Sequence, residues 1–187
     1  MRASELTEMT AFHGSFRPRI EKFKPLSHFG SEQAALERLK AINKNQSAGY
    51  LYKLDLGIHH PAKVKDYYQL QDPNPNNVGK ISAWVDDILK DPRVKQYKYT
   101  WTGPNGNTEI RTGTDKLKYI KGMITKGWWS EYYSYVQFIT LFTETLRDMG
   151  IDGLVYKNVV EHANELSYVA LDFNNVRVIG KAKQIQL

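Results

Sequence analysis

A chain of 187 residues, 41% of them apolar, is long enough to bury one core and is expected to form a single domain over residues 1–187. It contains no cysteine, which excludes disulfides and thiolate metal sites, and its formal charge of +6 suits a nucleic-acid partner, a nucleic-acid-bound complex or an anionic cofactor as readily as a merely basic protein. Met1 to Thr10 is too polar for a signal peptide and no run approaches the roughly 18 apolar residues that span a bilayer, so a soluble, cytoplasmic protein with no membrane partner is expected.

In chain order, Met1 to Thr10 reads as a loose or short helical lead-in. Thr10 to Ser15 predicts a short strand ending in a glycine turn at Gly14. Phe16 to His28 reads as irregular, because Pro18 and Pro25 exclude a long helix. Ser31 is a natural N-cap for a helix from Glu32 to about Asn43, with Glu32 favourable in the first turn and Ala34, Ala35, Leu36, Leu39 and Ile42 on its apolar face. Tyr50 to Leu56 alternates as a strand does, residues 57–68 form an extended connection, and Asp72 to Asn77 is a turn-rich loop.

Gly79 to Lys90 predicts a helix with Ile81, Val85, Ile88 and Leu89 on one side. Tyr97 to Thr102 and Thr108 to Thr112, around a Gly/Asn turn, predict a hairpin. A short basic helix follows over Lys116 to Lys126, and Trp128-Trp129 opens a helix closed by a glycine cap near Gly150. Leu154 to Tyr156, Tyr168 to Asp172 and Val176 to Ile179 are the closing strands. The sum is a mixed α+β domain whose strands enclose a cleft.

Several residues in this frame have chemistry to offer. His13 follows a strand and precedes a glycine, a place where an imidazole can bond a sugar hydroxyl and Gly14 lets a ligand approach the backbone. A histidine at a strand end is also a common structural residue. His28, Phe29, Gly30 and Ser31 lead into a helix whose N-terminus can face an anion, although Ser31 suffices as a cap and Phe29 as a core residue. Glu161 and Glu165 stand between two strands and are candidates for an acid/base pair, against the alternative of exposed loop carboxylates. His59, His60 and His162 lack the spacing of a metal site. Tyr97, Tyr99, Trp101, Trp128, Trp129, Tyr132, Tyr133 and Tyr135, interleaved with lysines, can stack bases and hold phosphates or simply bury a hairpin and a helix.

Taken together, these segments resemble the ADP-ribosyltransferase-like domains of phage and mobile-element proteins. The resemblance rests on Phe12-His13-Gly14-Ser15, on His28-Phe29-Gly30-Ser31 with Gln33-Ala34, and on the strand Tyr50 to Leu56 followed by His60-Pro61 and Asp66. It continues through Gly150-Ile151-Asp152-Gly153-Leu154-Val155-Tyr156-Lys157-Asn158, Glu161, Ser167-Tyr168 and Asp172 to Val178. It covers about half the chain, in order, and leaves residues 73–135 as an insertion suited to recognising a target.

The resemblance implies an α+β fold built as a split β-sheet clamp around NAD, with flanking helices and the middle insertion. His13 would bind ribose hydroxyls, with Gly14 and Ser15 presenting backbone and hydroxyl groups; Tyr50 or Tyr52 would stack near the nicotinamide. Glu161 takes the place of the family's late glutamate, with Glu165 as the alternative, and Ser167 and Tyr168 complete the cofactor site with His28, Phe29, Gly30 and Ser31. The implied activity is mono-ADP-ribosyl transfer from NAD to a protein or nucleic-acid acceptor, in phage counter-defence or host modification in a host cytoplasm. An NAD glycohydrolase, or a non-catalytic nucleic-acid-binding module on the same fold, is the alternative.

Overall fold

The computed structural model of the chain describes residues 9–23, 26–42, 46–67, 78–159 and 164–187. Residues 1–8 of the lead-in expected over Met1 to Thr10, the turn-rich loop over 72–77, His162 and the candidate Glu161 lie outside the described residues, and Met9 and Thr10 belong to a strand instead. In chain order the elements are β1 (Met9–Ser15), β2 (His28–Phe29), α1 (Glu32–Ala41), β3 (Ala48–Leu56), β4 (Pro61–Lys63), α2 (Val78–Ile88), α3 (Pro92–Gln96), β5 (Lys98–Thr102) and β6 (Thr108–Thr112). They continue with α4 (Gly113–Thr125), α5 (Trp129–Tyr132), α6 (Tyr135–Asp148), β7 (Gly153–Lys157), β8 (Leu166–Ala170), a 3₁₀ turn (Phe173–Asn175), β9 (Val176–Val178) and β10 (Lys183–Gln186). The protein is thus a mixed α+β chain. It divides into two compact units, Met1–His59 with Lys157–Leu187, and His60–Tyr156.

In the first unit β3 is the central strand. It pairs antiparallel with β1, from Met9↔Leu56 to Ser15↔Tyr50, and on its other side with β9 and β10. Successive side chains of a strand point to opposite faces. One face of the β1–β3 pair therefore carries Ala11, His13, Tyr52, Leu54 and Leu56, and this face joins Phe23, Phe29, Ile58 and Ala170 in a buried core.

The opposite face receives α1 through Leu39, which is fully buried. Close approach of the helix requires glycine below it. A Cβ on Gly14 would stand 2.5 Å from Leu39 Cγ and 2.7 Å from the Ala35 carbonyl oxygen. Ser31 caps α1 as its sequence indicates, its Oγ accepting from Ala34 N at 3.1 Å. A second antiparallel pair, β2 with β8, sets His28 opposite Val169 and Phe29 opposite Tyr168. One bridge links it to β1: Phe12 and Gly30 exchange backbone bonds of 2.8 and 3.1 Å.

The second unit is mainly helical. Val78, Ile81, Val85 and Ile88 of α2, Leu117 and Ile120 of α4, and Phe138, Phe142 and Leu146 of α6 are all buried. β4 and β7 pair in parallel, Pro61↔Gly153 to Lys63↔Val155. The Arg93 guanidinium ties this region together, donating to the carbonyls of His60, Pro61 and Gly150 while Asp91 holds it at 2.7 Å. Beside that guanidinium the Asp91 carboxyl stays below its ordinary pKa.

The expected helix from Trp128 to Gly150 is two helices. Ser134 is extended (φ −66°, ψ 160°) and forms a capping box with Gln137, so α6 restarts there. Its C-terminus closes as expected: Gly150 has φ 75°, and Ile151 N and Gly150 N reach the carbonyls of Leu146 and Arg147. The strand expected at Tyr168 to Asp172 begins and ends earlier, because Asp172 turns the chain by accepting from Asn174 N at 3.0 Å. The helix expected to Asn43 ends at Ala41, and β2, β4, α3 and β10 were not expected from the sequence.

Candidate functional site

Every described candidate for the NAD site belongs to the first unit. His13 is the most informative of them. It shares the core face of β1 with Ala11, and its ring stands edge-on to Phe23 (centroids 5.3 Å apart, planes at 87°) and tilted against Phe29 at 5.7 Å. Its Nδ1 lies 3.0 Å from the His28 carbonyl oxygen. A carbonyl can only accept, so Nδ1 carries the proton and the neutral ring presents a lone pair at Nε2. Burial pushes the His13 pKa below its ordinary 6.5, and the bond to the His28 carbonyl opposes that shift without cancelling it. At neutral pH the ring is an uncharged hydrogen-bond acceptor.

Register places Ser15 opposite Tyr50 on the same face as His13. Ser15 Oγ accepts from Arg17 N at 3.1 Å, which leaves its hydroxyl proton free to donate. Tyr50 and Tyr168 are half-buried and pack on the same core cluster as His13's neighbours Phe23 and Phe29. Burial raises the Tyr168 pKa, so its phenol stays protonated. Together, these groups offer a neutral imidazole acceptor, hydroxyls and partly open aromatic rings. Such a set can bind a sugar and a flat heterocycle, and in this respect the residues fit NAD.

Other candidates have different duties. Tyr52, expected as one of two rings near a nicotinamide, is buried, and its hydroxyl donates to the Arg17 carbonyl at 2.7 Å. Phe29 is 1% exposed and belongs to the core. Tyr52 is the cross-strand partner of His13 and Phe29 packs against its ring, which leaves Tyr50 as the half-buried ring of the two expected. Gly14, expected to open the backbone to a ligand, instead makes room for α1. Gly30 lies against β8, where an added Cβ would stand 3.0 Å from Ser167 Oγ. The Ser31 hydroxyl caps α1, and His28 is exposed, offering its carbonyl to His13.

Ser167 is buried, its Oγ accepting from Asn158 Nδ2 at 3.2 Å. Asn158 also clasps Asn164 and Glu165, just ahead of β8. Its N–H donates to the Glu165 carbonyl and its own carbonyl accepts from Asn164 N, both at 2.8 Å. Asn164 takes the left-handed conformation this closure requires, with φ 76°. Glu165 is half-buried at the foot of the clasp. Asn158 and Phe23 are structural neighbours of the candidate residues to which sequence reasoning assigned no role of their own. An asparagine just after a strand was the available signal for the first; for Phe23, amid irregular chain, there was none.

In the second unit the aromatic residues divide. Trp129 is buried against Phe138, with centroids 5.7 Å apart, whereas Trp128 is exposed under Lys126. Tyr97, Tyr99 and Trp101 are only half-buried. His59 and His60 are exposed, and no cluster of three or more His, Asp or Glu side chains among the described residues is placed to hold a metal ion. No protein-family model, curated protein or solved structure matches this chain.

Proposed function

We propose that the protein is a mono-ADP-ribosyltransferase that uses NAD and modifies a macromolecular acceptor, in a host cell if it is phage-encoded. The observation that carries this reading is His13. It is an imidazole held neutral by burial, oriented through Nδ1 on the His28 carbonyl, and set between two antiparallel strand pairs that meet at Phe12 and Gly30. The resemblance implies that this histidine binds ribose hydroxyls, and a neutral acceptor nitrogen suits that role.

In the mechanism that follows, His13 Nε2 accepts a hydrogen bond from a ribose hydroxyl, and Ser15 donates one. Tyr50 offers its ring face to the nicotinamide. NAD supplies an N-glycosidic bond whose electron pair leaves with neutral nicotinamide, so positive charge develops on the ribose. A carboxylate, Glu161 or alternatively Glu165, bonds the adjacent hydroxyl and stabilises that charge. An acceptor nucleophile then forms the new bond to the ribose carbon and gives up its proton.

The test compares Glu161→Gln with Glu165→Gln, using labelled NAD and a cell lysate. Glu161→Gln is expected to lower transfer by about two to three powers of ten, the size of a lost electrostatic contact in a transition state, with an unchanged melting temperature. Full activity in both variants would remove the carboxylate from the mechanism. Release of nicotinamide without labelled acceptor would make the protein a glycohydrolase.

A further inference from the structure

Residues 92–130 hold eight lysines and arginines against two carboxylates, Glu109 and Asp115. That surplus of six equals the net charge of the whole chain, so the remainder is balanced. The hairpin β5–β6 lies within this segment, and no side chain from Lys98 to Arg111 is buried. A two-stranded hairpin gains little stability alone, and this one does not repay its ordering by burying side chains in a core. Its residues nevertheless include large aromatic rings. Their arrangement calls for another explanation.

Tyr99 and Trp101 occupy one face of β5, and register sets Arg111 and Glu109 beside them on β6. The Arg111 guanidinium lies over the Trp101 ring, 3.5 Å from its centroid. Tyr97 and Tyr99 are near-parallel at 6.2 Å, with planes 22° apart. Lys116 Nζ, from the first turns of α4, stands 5.7 Å from the Tyr99 ring and 6.0 Å from that of Tyr97. Residues two apart on a strand are about 7 Å apart, so Tyr97, Tyr99 and Trp101 form a spaced row of half-open rings edged by cations. Lys95, Lys98 and Lys118 are exposed nearby. The ion pairs of Arg111 with Glu109 and Lys116 with Asp148 are at the surface, where they hold their charges only weakly against a competing anion.

We propose that the Tyr97–Tyr99–Trp101 row, with Arg111 and Lys116, is a binding surface for single-stranded nucleic acid. Bases stack on the rings and phosphates meet the cations. A duplex hides its base faces in its own stack, so an open row of rings selects unpaired strands. The inference stands on the second unit alone and does not rest on the transferase reading.

The test is fluorescence anisotropy of the full chain with a labelled oligothymidine and an oligouridine of roughly twelve nucleotides, within the span of known single-strand sites. Binding to at least one is expected, weakening about twentyfold between about 50 and 200 mM salt if three phosphates are contacted. Trp101→Ala and Tyr99→Ala are each expected to weaken it between roughly 5- and 150-fold, the range for one lost base stack. Ile110→Ala, on the hairpin's opposite face and 75% exposed, is the control and is expected to leave affinity unchanged. No binding at low salt, tighter binding of duplex, or equal affinity of the ring variants and wild type would each overturn the proposal. Circular dichroism of each variant separates lost contacts from lost folding.

Discussion

At the scale of single residues, His13 links the fold to the proposed chemistry. Its ring is packed on Phe23 and Phe29 and held through Nδ1, so it is positioned by the core even as it presents Nε2. Burial lowers its pKa from 6.5, which gives stability a pH dependence. Between the folded and unfolded pKa values the unfolded chain binds more protons than the folded one. Stability is therefore complete above about 6.5, falls as pH drops through that window, and levels off below the folded pKa. Urea midpoints at about pH 7.5 and 5.5 are expected to fall further for the wild type than for His13→Gln, and an equal fall would contradict the burial argument. The histidine and its neighbouring glycine and serine were legible as candidates for a site. That Gly14 serves α1 while His13 serves the opposite face was not, because the helix that meets a strand face cannot be read from the strand. Asn158 was hidden for a similar reason: its partners Glu165 and Ser167 become neighbours only when the segment between them closes.

Among the elements, periodicity identified those that bury a continuous face. β3 alternates in sequence and pairs along the full length of β1, and α1 and α2 fall where their apolar positions recur. β2 escaped notice because two residues have no period, although its pairing with β8 helps place His28 and Phe29. Ser134 split one expected helix into two because a capping box overrode a hydrophobic run. The packing of α1 on β1 supplies a direct test. Gly14→Ala places a methyl against a backbone carbonyl that cannot move without shifting the helix, and overpacking of this kind costs about 1–3 kcal/mol. A lowered melting temperature is expected; an unchanged one would mean that α1 does not seat on Gly14 as described.

For the whole molecule, the residues behind the two proposals fall in different units. The first gathers the described residues expected to hold NAD, and the second carries the cationic aromatic hairpin. Composition registered the charge surplus but not its confinement to residues 92–130, and the mixed α+β class followed from the order of predicted elements. The central claim is NAD cleavage with transfer. Its most direct measurement incubates the purified chain with NAD labelled separately in the nicotinamide and in the adenylate, together with protein and single-stranded nucleic-acid acceptors. The account predicts free nicotinamide in equal amount to adenylate label bound to an acceptor, with both greatly reduced in Glu161→Gln. Intact NAD after prolonged incubation with either acceptor would contradict it.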